Sequence, residues 1–239
     1  MYSRYRPGYP PEILDVLRKE IGFQKNEVVA DIGSGTGLLT KLFLSNGNRV
    51  FAVEPNARMR YHADRDFAGF TNFASVAGKA ERTKLRRKSI DLITAGEALH
   101  WFNASRTTKE FSRIARPGCH LCVVYTRSKT GGKLTREYLR FINKYQHDLA
   151  KVPEMNRKLV SPYFRGGKFL KFKLSGTQAL DIGGLRGKIL SFSFMPTPEE
   201  AERSEAFNRA LKRLYNSNES DGQVRFFYET TVLLGEPSN

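Results

Sequence analysis

The segment Val28-Val29-Ala30-Asp31-Ile32-Gly33-Ser34-Gly35-Thr36-Gly37-Leu38-Leu39-Thr40 constrains the fold more than any other part of the chain. An apolar run passes through three alternating glycines into a helix-forming stretch, which reads as strand, tight turn and helix start. Gly33, Gly35 and Gly37 admit positive φ and let the backbone come close to a ligand, while the helix after them presents unpaired N–H groups. Ser34 lies inside the same turn. This is the build of a nucleotide-cofactor loop. Its spacing is GxGxG, whereas a dinucleotide loop carries the third glycine one position later, where Leu38 stands here. Asp31 sets an anion two residues before the first glycine. That disfavours a pyrophosphate and suits a ligand with an ammonium group, such as the methionine part of S-adenosylmethionine. A glycine turn without a ligand is the alternative, and it leaves the entropy cost of three glycines with nothing to offset it.

Around this loop the chain alternates strand and helix. Pro10-Pro11 followed by Ile13, Leu14, Leu17 and Ile21 predicts a first helix. Val28–Ile32, Arg49–Val53, Thr71–Ala77, Ser89–Thr94 and His120–Tyr125 read as strands. Leu38–Asn46 and Ala57–Phe67 read as helices, and another ends at Ile114, with Pro117-Gly118 as its stop. The rhythm predicts an α/β doubly wound fold with a buried, mostly parallel sheet. After Thr126 it changes. Lys133–Lys151 is a basic amphipathic helix, Phe169–Ala179 a sixth strand, Ile182–Phe192 and Pro198–Asn216 two helices, the second capped by Thr197, and Val224–Leu234 a last strand. At 239 residues the expectation is one domain, with a core over about 10–126 and 168–239 and lid helices within 128–216.

Glu54 ends the second strand 17 positions after Gly37, where a carboxylate can accept from both ribose hydroxyls of a nucleoside. NAD would use the same geometry, so the loop spacing rather than Glu54 separates the cofactors. Pro55, Asn56 and Met59 follow, in position to pack on an adenine. Gly96 to Phe102 lies beyond the fourth strand, at the crevice where open α/β sheets bind ligands. There His100 is a candidate catalytic base toward a hydroxyl, or equally a packing histidine in the pocket wall, with Trp101 beside it.

Three segments together, the glycine loop, Tyr2-Ser3-Arg4-Tyr5-Arg6-Pro7-Gly8-Tyr9-Pro10 and Gly96-Glu97-Ala98-Leu99-His100-Trp101-Phe102, carry a resemblance. The chain resembles the class I S-adenosylmethionine-dependent methyltransferases, in the methyltransferase type 11 group that includes trans-aconitate methyltransferase-like proteins. The resemblance implies a Rossmann-like, seven-stranded sheet with an antiparallel last strand and S-adenosyl-L-methionine as cofactor. It implies that Tyr5 and Arg6 lie over the cofactor, Arg6 forking onto its carboxylate, and that Ala80 and Glu81 sit near the adenine amino group. It also implies that Gly96 lines the site and that His100 and Trp101 face the methyl group or acceptor. An exposed ion pair of Glu81 with Arg82 or Lys84 is the alternative for that residue.

The formal charge is +16, with 40 basic residues, and clusters of them fall in Lys79–Lys88, Arg127–Lys144 and Arg157–Lys173. Tyr163, Phe164, Phe169 and Phe172 interleave the last cluster, a pattern that would attract phosphates and stack bases. The competing reading is a solvated basic exterior, and it is the one we adopt, with a small-molecule acceptor as partner and nucleic acid as the lesser alternative. A cofactor-binding protein without turnover is the non-enzymatic reading. No apolar run reaches membrane-spanning length and the N-terminal residues lack a signal peptide's apolar segment, so a cytoplasmic protein without a membrane partner is expected. Cys119 and Cys122 form one CxxC with no second pair, and their spacing on a strand sends the thiols to opposite faces, so no metal is expected. His62, His120 and His147 show no ligand spacing.

Overall fold

Strands form where apolar runs meet glycine, proline or asparagine punctuation, and the side chains at those breaks cap the helices. The computed structural model describes residues 5–129, 131–146, 155–192 and 194–238. Arg4, His147 and the end of the helix expected to reach Lys151 lie outside the described residues. In chain order come α1 (Glu12–Ile21), β1 (Val28–Ile32), α2 (Leu38–Asn46), β2 (Arg49–Val53), α3 (Ala57–Asp66), β3 (Phe73–Val76), β4 (Ile90–Gly96), α4 (Ala104–Ile114) and β5 (Ala115–Ser128). There follow α5 (Lys133–Tyr145), α6 (Arg157–Val160), β6 (Leu170–Leu180), α7 (Ile182–Leu190), α8 (Pro198–Arg203), α9 (Glu205–Asn216) and β7 (Val224–Gly235). Asn56 and Asn103 cap α3 and α4 through side-chain oxygens, and Gly22 closes α1 in the left-handed conformation.

The seven strands form one sheet in the order β3-β2-β1-β4-β5-β7-β6. β1 pairs in parallel with both β2 and β4, so the winding reverses beside β1 and opens a crevice at the carboxyl ends of β1 and β4. β7 runs antiparallel to β5. Thr126 meets Thr230 at 3.0 Å between hydroxyls and Lys129 N–H donates to Phe227 O, so one strand's numbers rise as the other's fall. Alternate residues feed two cores. Ala30, Ile32, Ile93, Leu121 and Val123 enter one, while Val29, Val50, Leu92 and Val124 enter the other with α1 and α2. Cys119 and Cys122 fall in different cores, as their spacing on a strand requires. Burial pushes both thiols up to about 12, which makes them packing residues.

Two elements differ from the sequence expectation. Pro117-Gly118 does not stop α4. The helix ends at Ile114, and the proline sits in a bulge of β5 where the register jumps from Ile90 opposite Ala115 to Leu92 opposite His120. The single helix expected over Pro198–Asn216 is two, because Ser204 turns extended (φ −86°, ψ 99°) and its hydroxyl accepts from Phe207 N–H as a new cap. Thr197 does cap α8, in a reciprocal box with Glu200.

The described residues form two compact units. Of the described residues, the larger takes 8–126, 155–174 and 230–238, and the smaller takes 5–7, 127–129, 131–146, 175–192 and 194–229. The smaller one thus gathers the helices expected as a lid, together with Tyr5 and Arg6 and the ends of β6 and β7. Its core comprises Tyr138, Phe141, Leu185, Ile189, Phe207, Leu211 and Phe226 among others. Among the described residues, no helix is long and apolar enough to cross a membrane.

Candidate functional site

The glycine loop turns back over the end of β2, with Gly33 N–H and Ser34 N–H both donating to Val53 O at 2.8 and 3.2 Å. Its three glycines have different tasks. At Gly33 (φ 69°) an added Cβ would lie 2.7 Å from Ala98 Cβ, so this residue permits close approach of the segment after β4. At Gly37 (φ 88°) a Cβ would enter the Phe67 ring, so this residue permits packing on α3. Gly35 (φ 58°) has only Met59 Sδ near, at 3.9 Å, and its free face is the one available to a ligand. Ser34 Oγ is buried and makes no hydrogen bond among the described residues. An unsatisfied hydroxyl in a loop that opens α2 leaves a polar group able to bond a ligand at the helix N-terminus.

Glu54 is nearly buried and is held from both sides, Oε2 accepting from Gly35 N–H at 2.9 Å and Oε1 from Asn56 N–H at 2.8 Å. Each oxygen keeps a second acceptor site, so the carboxylate can still receive two hydroxyls. The loop, Glu54 and Met59 are therefore brought together as expected. Pro55 and Asn56 are exposed, and the Asn56 side chain is engaged as the cap of α3, accepting from Arg58 and Met59 N–H.

Asp31 acts differently from the expectation. It has no exposed surface, and its carboxylate accepts from Thr40 Oγ at 2.6 Å and Thr94 Oγ at 3.1 Å, tying β1 to α2 and β4. Burial, only partly offset by these bonds, raises its pKa to about 6. Asp31 thus fixes the loop from beneath and presents no surface to an ammonium group. Ala80 is buried, and Glu81 accepts from Asn103 N–H at 2.8 Å, joining the segment after β3 to the start of α4 instead of pairing with Arg82 or Lys84.

Beyond β4, Gly96 makes room for Tyr9, whose hydroxyl would lie 2.6 Å from a Cβ there. Tyr9 is therefore the residue of the opening segment at this crevice. Tyr5 and Arg6 belong to the smaller unit, where the Tyr5 ring covers Gly187 and the Arg6 guanidinium lies 4.8 Å over Phe192. Glu97 adopts a left-handed φ of 51°, held by its N–H on Val124 O and its Oε1 on Thr126 N–H. Such a conformation costs a non-glycine residue about 1 kcal/mol or more and gathers at functional sites. A short turn anchored by buried Leu99 then places His100 half-buried, with its ring 4.9 Å from that of Trp101, which is 72% exposed. Tyr9, Glu97, Thr40 and Thr94 were not individually legible. The one sequence signal among them belongs to Glu97, a charged residue directly after the strand-ending Gly96.

Comparison with known proteins places relatives of this chain among the methyltransferases. Residues 30–123 match the family model described as a methyltransferase domain, Methyltransf_11. An uncharacterized methyltransferase of Mycobacterium tuberculosis is 35% identical over 124 residues, covering 52% of this chain and 48% of that protein. The chain thus spans about half the length of the curated relatives it matches at that level. An uncharacterized methyltransferase of Schizosaccharomyces pombe is 29% identical over 238 residues, covering 98% of this chain and 93% of that one. Among solved structures, one described as a "Putative Type II Methyltransferase" from Anaeromyxobacter dehalogenans superposes with a TM-score of 0.74 at 20% identity, covering 97% of this chain and 98% of the other. The fold is that of the Rossmann-like methyltransferases. Over residues 30–123 the chain is thus similar to a methyltransferase domain.

Proposed function

We propose that the whole chain is an S-adenosylmethionine-dependent methyltransferase that acts on a small molecule offering a carboxylate or hydroxyl, as in the trans-aconitate-like group it resembles. The observation that carries the cofactor part is the meeting of Gly35's open face, the unsatisfied Ser34 hydroxyl and the Glu54 carboxylate at the switch point of the sheet. When bound, the cofactor supplies an electrophilic methyl on a sulfonium. The loop and Glu54 hold the nucleoside and amino acid portions, Ala80 and Glu81 border the adenine, and Tyr9 and Gly96 shape the wall toward the acceptor. His100 accepts the proton when the nucleophile is a hydroxyl, and a carboxylate acceptor needs no base. Catalysis rests on holding nucleophile and methyl in line in a site that excludes water.

RNA as acceptor is favoured by one observation. Arg82, Lys84, Arg86, Arg87 and Lys88 all point outward from a loop whose Thr83 and Leu85 are buried, Thr83 being bonded to Glu110. Against it, Tyr163 and Phe164 are buried and Phe169 and Phe172 pack on the larger unit's cores, which leaves those rings unavailable for base stacking. Incubation with tritiated S-adenosylmethionine and either a metabolite pool or bulk RNA tests the reading. Label in small molecules supports it. Label in RNA, with binding that falls steeply with salt and weakens when Lys168, Lys171 and Lys173 become glutamine, refutes it.

A further inference from the structure

A cavity of ≈ 350 Å³ lies within the larger unit, at the amino ends of β4 and β5, the opposite ends of those strands from the cofactor crevice. Lys88, Ser112, Arg116, Arg165, Glu236 and the Cys119 thiol are in its walls, and the proposed chemistry uses none of them. Burial keeps the thiol protonated, so it adds no negative charge. Arg165 and Glu236 pair with each other, and Arg116 Nη1 donates to Asp91 at 2.7 Å. That is the one hydrogen bond of the Arg116 side chain among the described residues, so its other N–H groups remain open to a second anion. The Lys88 ammonium makes no ion pair or hydrogen bond among the described residues, and the exposed Arg86 and Arg87 directly before it have no carboxylate partner there either.

The backbone holds Lys88 in place. Its N–H donates to Arg113 O at 3.0 Å, the N–H of Ser89 donates to Ile114 O at 2.8 Å, and the Ser89 hydroxyl donates to Arg86 O at 2.7 Å. Lys88 has a φ of 49°, a left-handed conformation that glycine adopts without strain and lysine does not. The chain thus keeps a cation, against the local backbone preference, in the wall of a cavity, and strain of this kind gathers at functional sites. Lys84 is also left-handed, at φ 65°, but does not line the cavity. An ammonium, a guanidinium and the Ser112 hydroxyl are the donors that suit the several oxygens of a phosphate, and their fixed backbone lowers the cost of ordering them. The space is larger than a phosphate ion needs, so a small ester group fits beside it.

We propose that Lys88, Arg116 and Ser112 form a binding site for a phosphate dianion, free or as a small monoester, remote from the methyl-transfer crevice and independent of that reading. Calorimetry of the full chain without cofactor, at constant ionic strength, with inorganic phosphate, phenyl phosphate and acetate tests it. The expected result is phosphate binding of roughly millimolar affinity or tighter, about tenfold stronger than that of acetate. Lys88→Gly removes the ammonium and relieves the strain, so phosphate affinity should fall about tenfold while the thermal midpoint holds or rises. Lys84→Gly relieves the same strain outside the cavity and should leave phosphate affinity unchanged. Tighter binding of phenyl phosphate supports the site with a monoester as its ligand, and tighter binding of inorganic phosphate supports it with the free ion. Absence of phosphate binding, acetate bound as tightly as phosphate, unchanged affinity in Lys88→Gly or an equal loss in Lys84→Gly would overturn the proposal. So would a single-stranded RNA bound far more tightly than either phosphate and weakened by Lys88→Gly, which would make these residues part of a nucleic-acid surface.

Discussion

Replacing Asp31 by asparagine isolates the cost of a fully buried carboxylate beneath the cofactor loop. In the native protein Asp31 holds its proton up to about pH 6, against 3.8 for an ordinary exposed aspartate. Between those values the native state binds more protons than the unfolded one. Stability therefore falls as pH rises through this window, and the penalty is complete above about pH 6. A shift of about two pH units corresponds to about 3 kcal/mol, applied here without a discount for solvent because the side chain has no exposed surface. Asparagine cannot ionise, so it loses this pH dependence while its oxygen still accepts from one threonine. Urea unfolding of both proteins from about pH 4 to 7 measures the difference between their stabilities. The expectation is that the difference changes by about 3 kcal/mol across that range, in favour of the variant as pH rises. Parallel curves would show that Asp31 is ionised without penalty, and the desolvation argument would fail.

Glu54→Ala should weaken S-adenosylmethionine binding by about 1.5 to 3 kcal/mol if two hydroxyl bonds to a charged group are lost, and a change below about twofold in the dissociation constant contradicts the ribose role. Gly35→Ala and Gly37→Ala should separate binding from folding. The first meets open space on its ligand side, so calorimetry should show impaired cofactor binding with a modest loss of stability, whereas the second drives a methyl into the Phe67 ring and should lower the urea midpoint far more. Equal stability losses would show that the two glycines do the same work. Ser204→Ala removes the cap that starts α9 and should cost about 1 kcal/mol in thermal unfolding, a loss that would not occur if α8 and α9 behaved as one helix.

The parallel half of the sheet was legible because its strands are short apolar runs whose ends are marked by residues such as Gly33, Pro55 and Gly96. β1, α2 and β2 fall at the expected residues for that reason. The break at Ser204 was not legible, since the residues around it favour helix and only the packing of α8 and α9 selects the turn. Likewise Pro117 reads as a helix stop, but the register between β4 and β5 absorbs it in a bulge. At the site, Glu54 and the glycines were readable because backbone conformation and strand position specify them. Asp31 was read as facing a ligand, when its threonine partners come from α2 and β4 and appear only once three segments meet. The pairing of Glu81 with Asn103 and the place of Tyr5 and Arg6 in the smaller unit depend on contacts distant in sequence, which no local pattern encodes.

The central claim is that the GxGxG loop and Glu54 hold S-adenosylmethionine and not a dinucleotide. Isothermal calorimetry of the full chain with S-adenosylmethionine, its demethylated product and NAD tests it most directly. The first two are expected to bind, with little affinity for NAD. Tight binding of NAD with no heat from S-adenosylmethionine would contradict it.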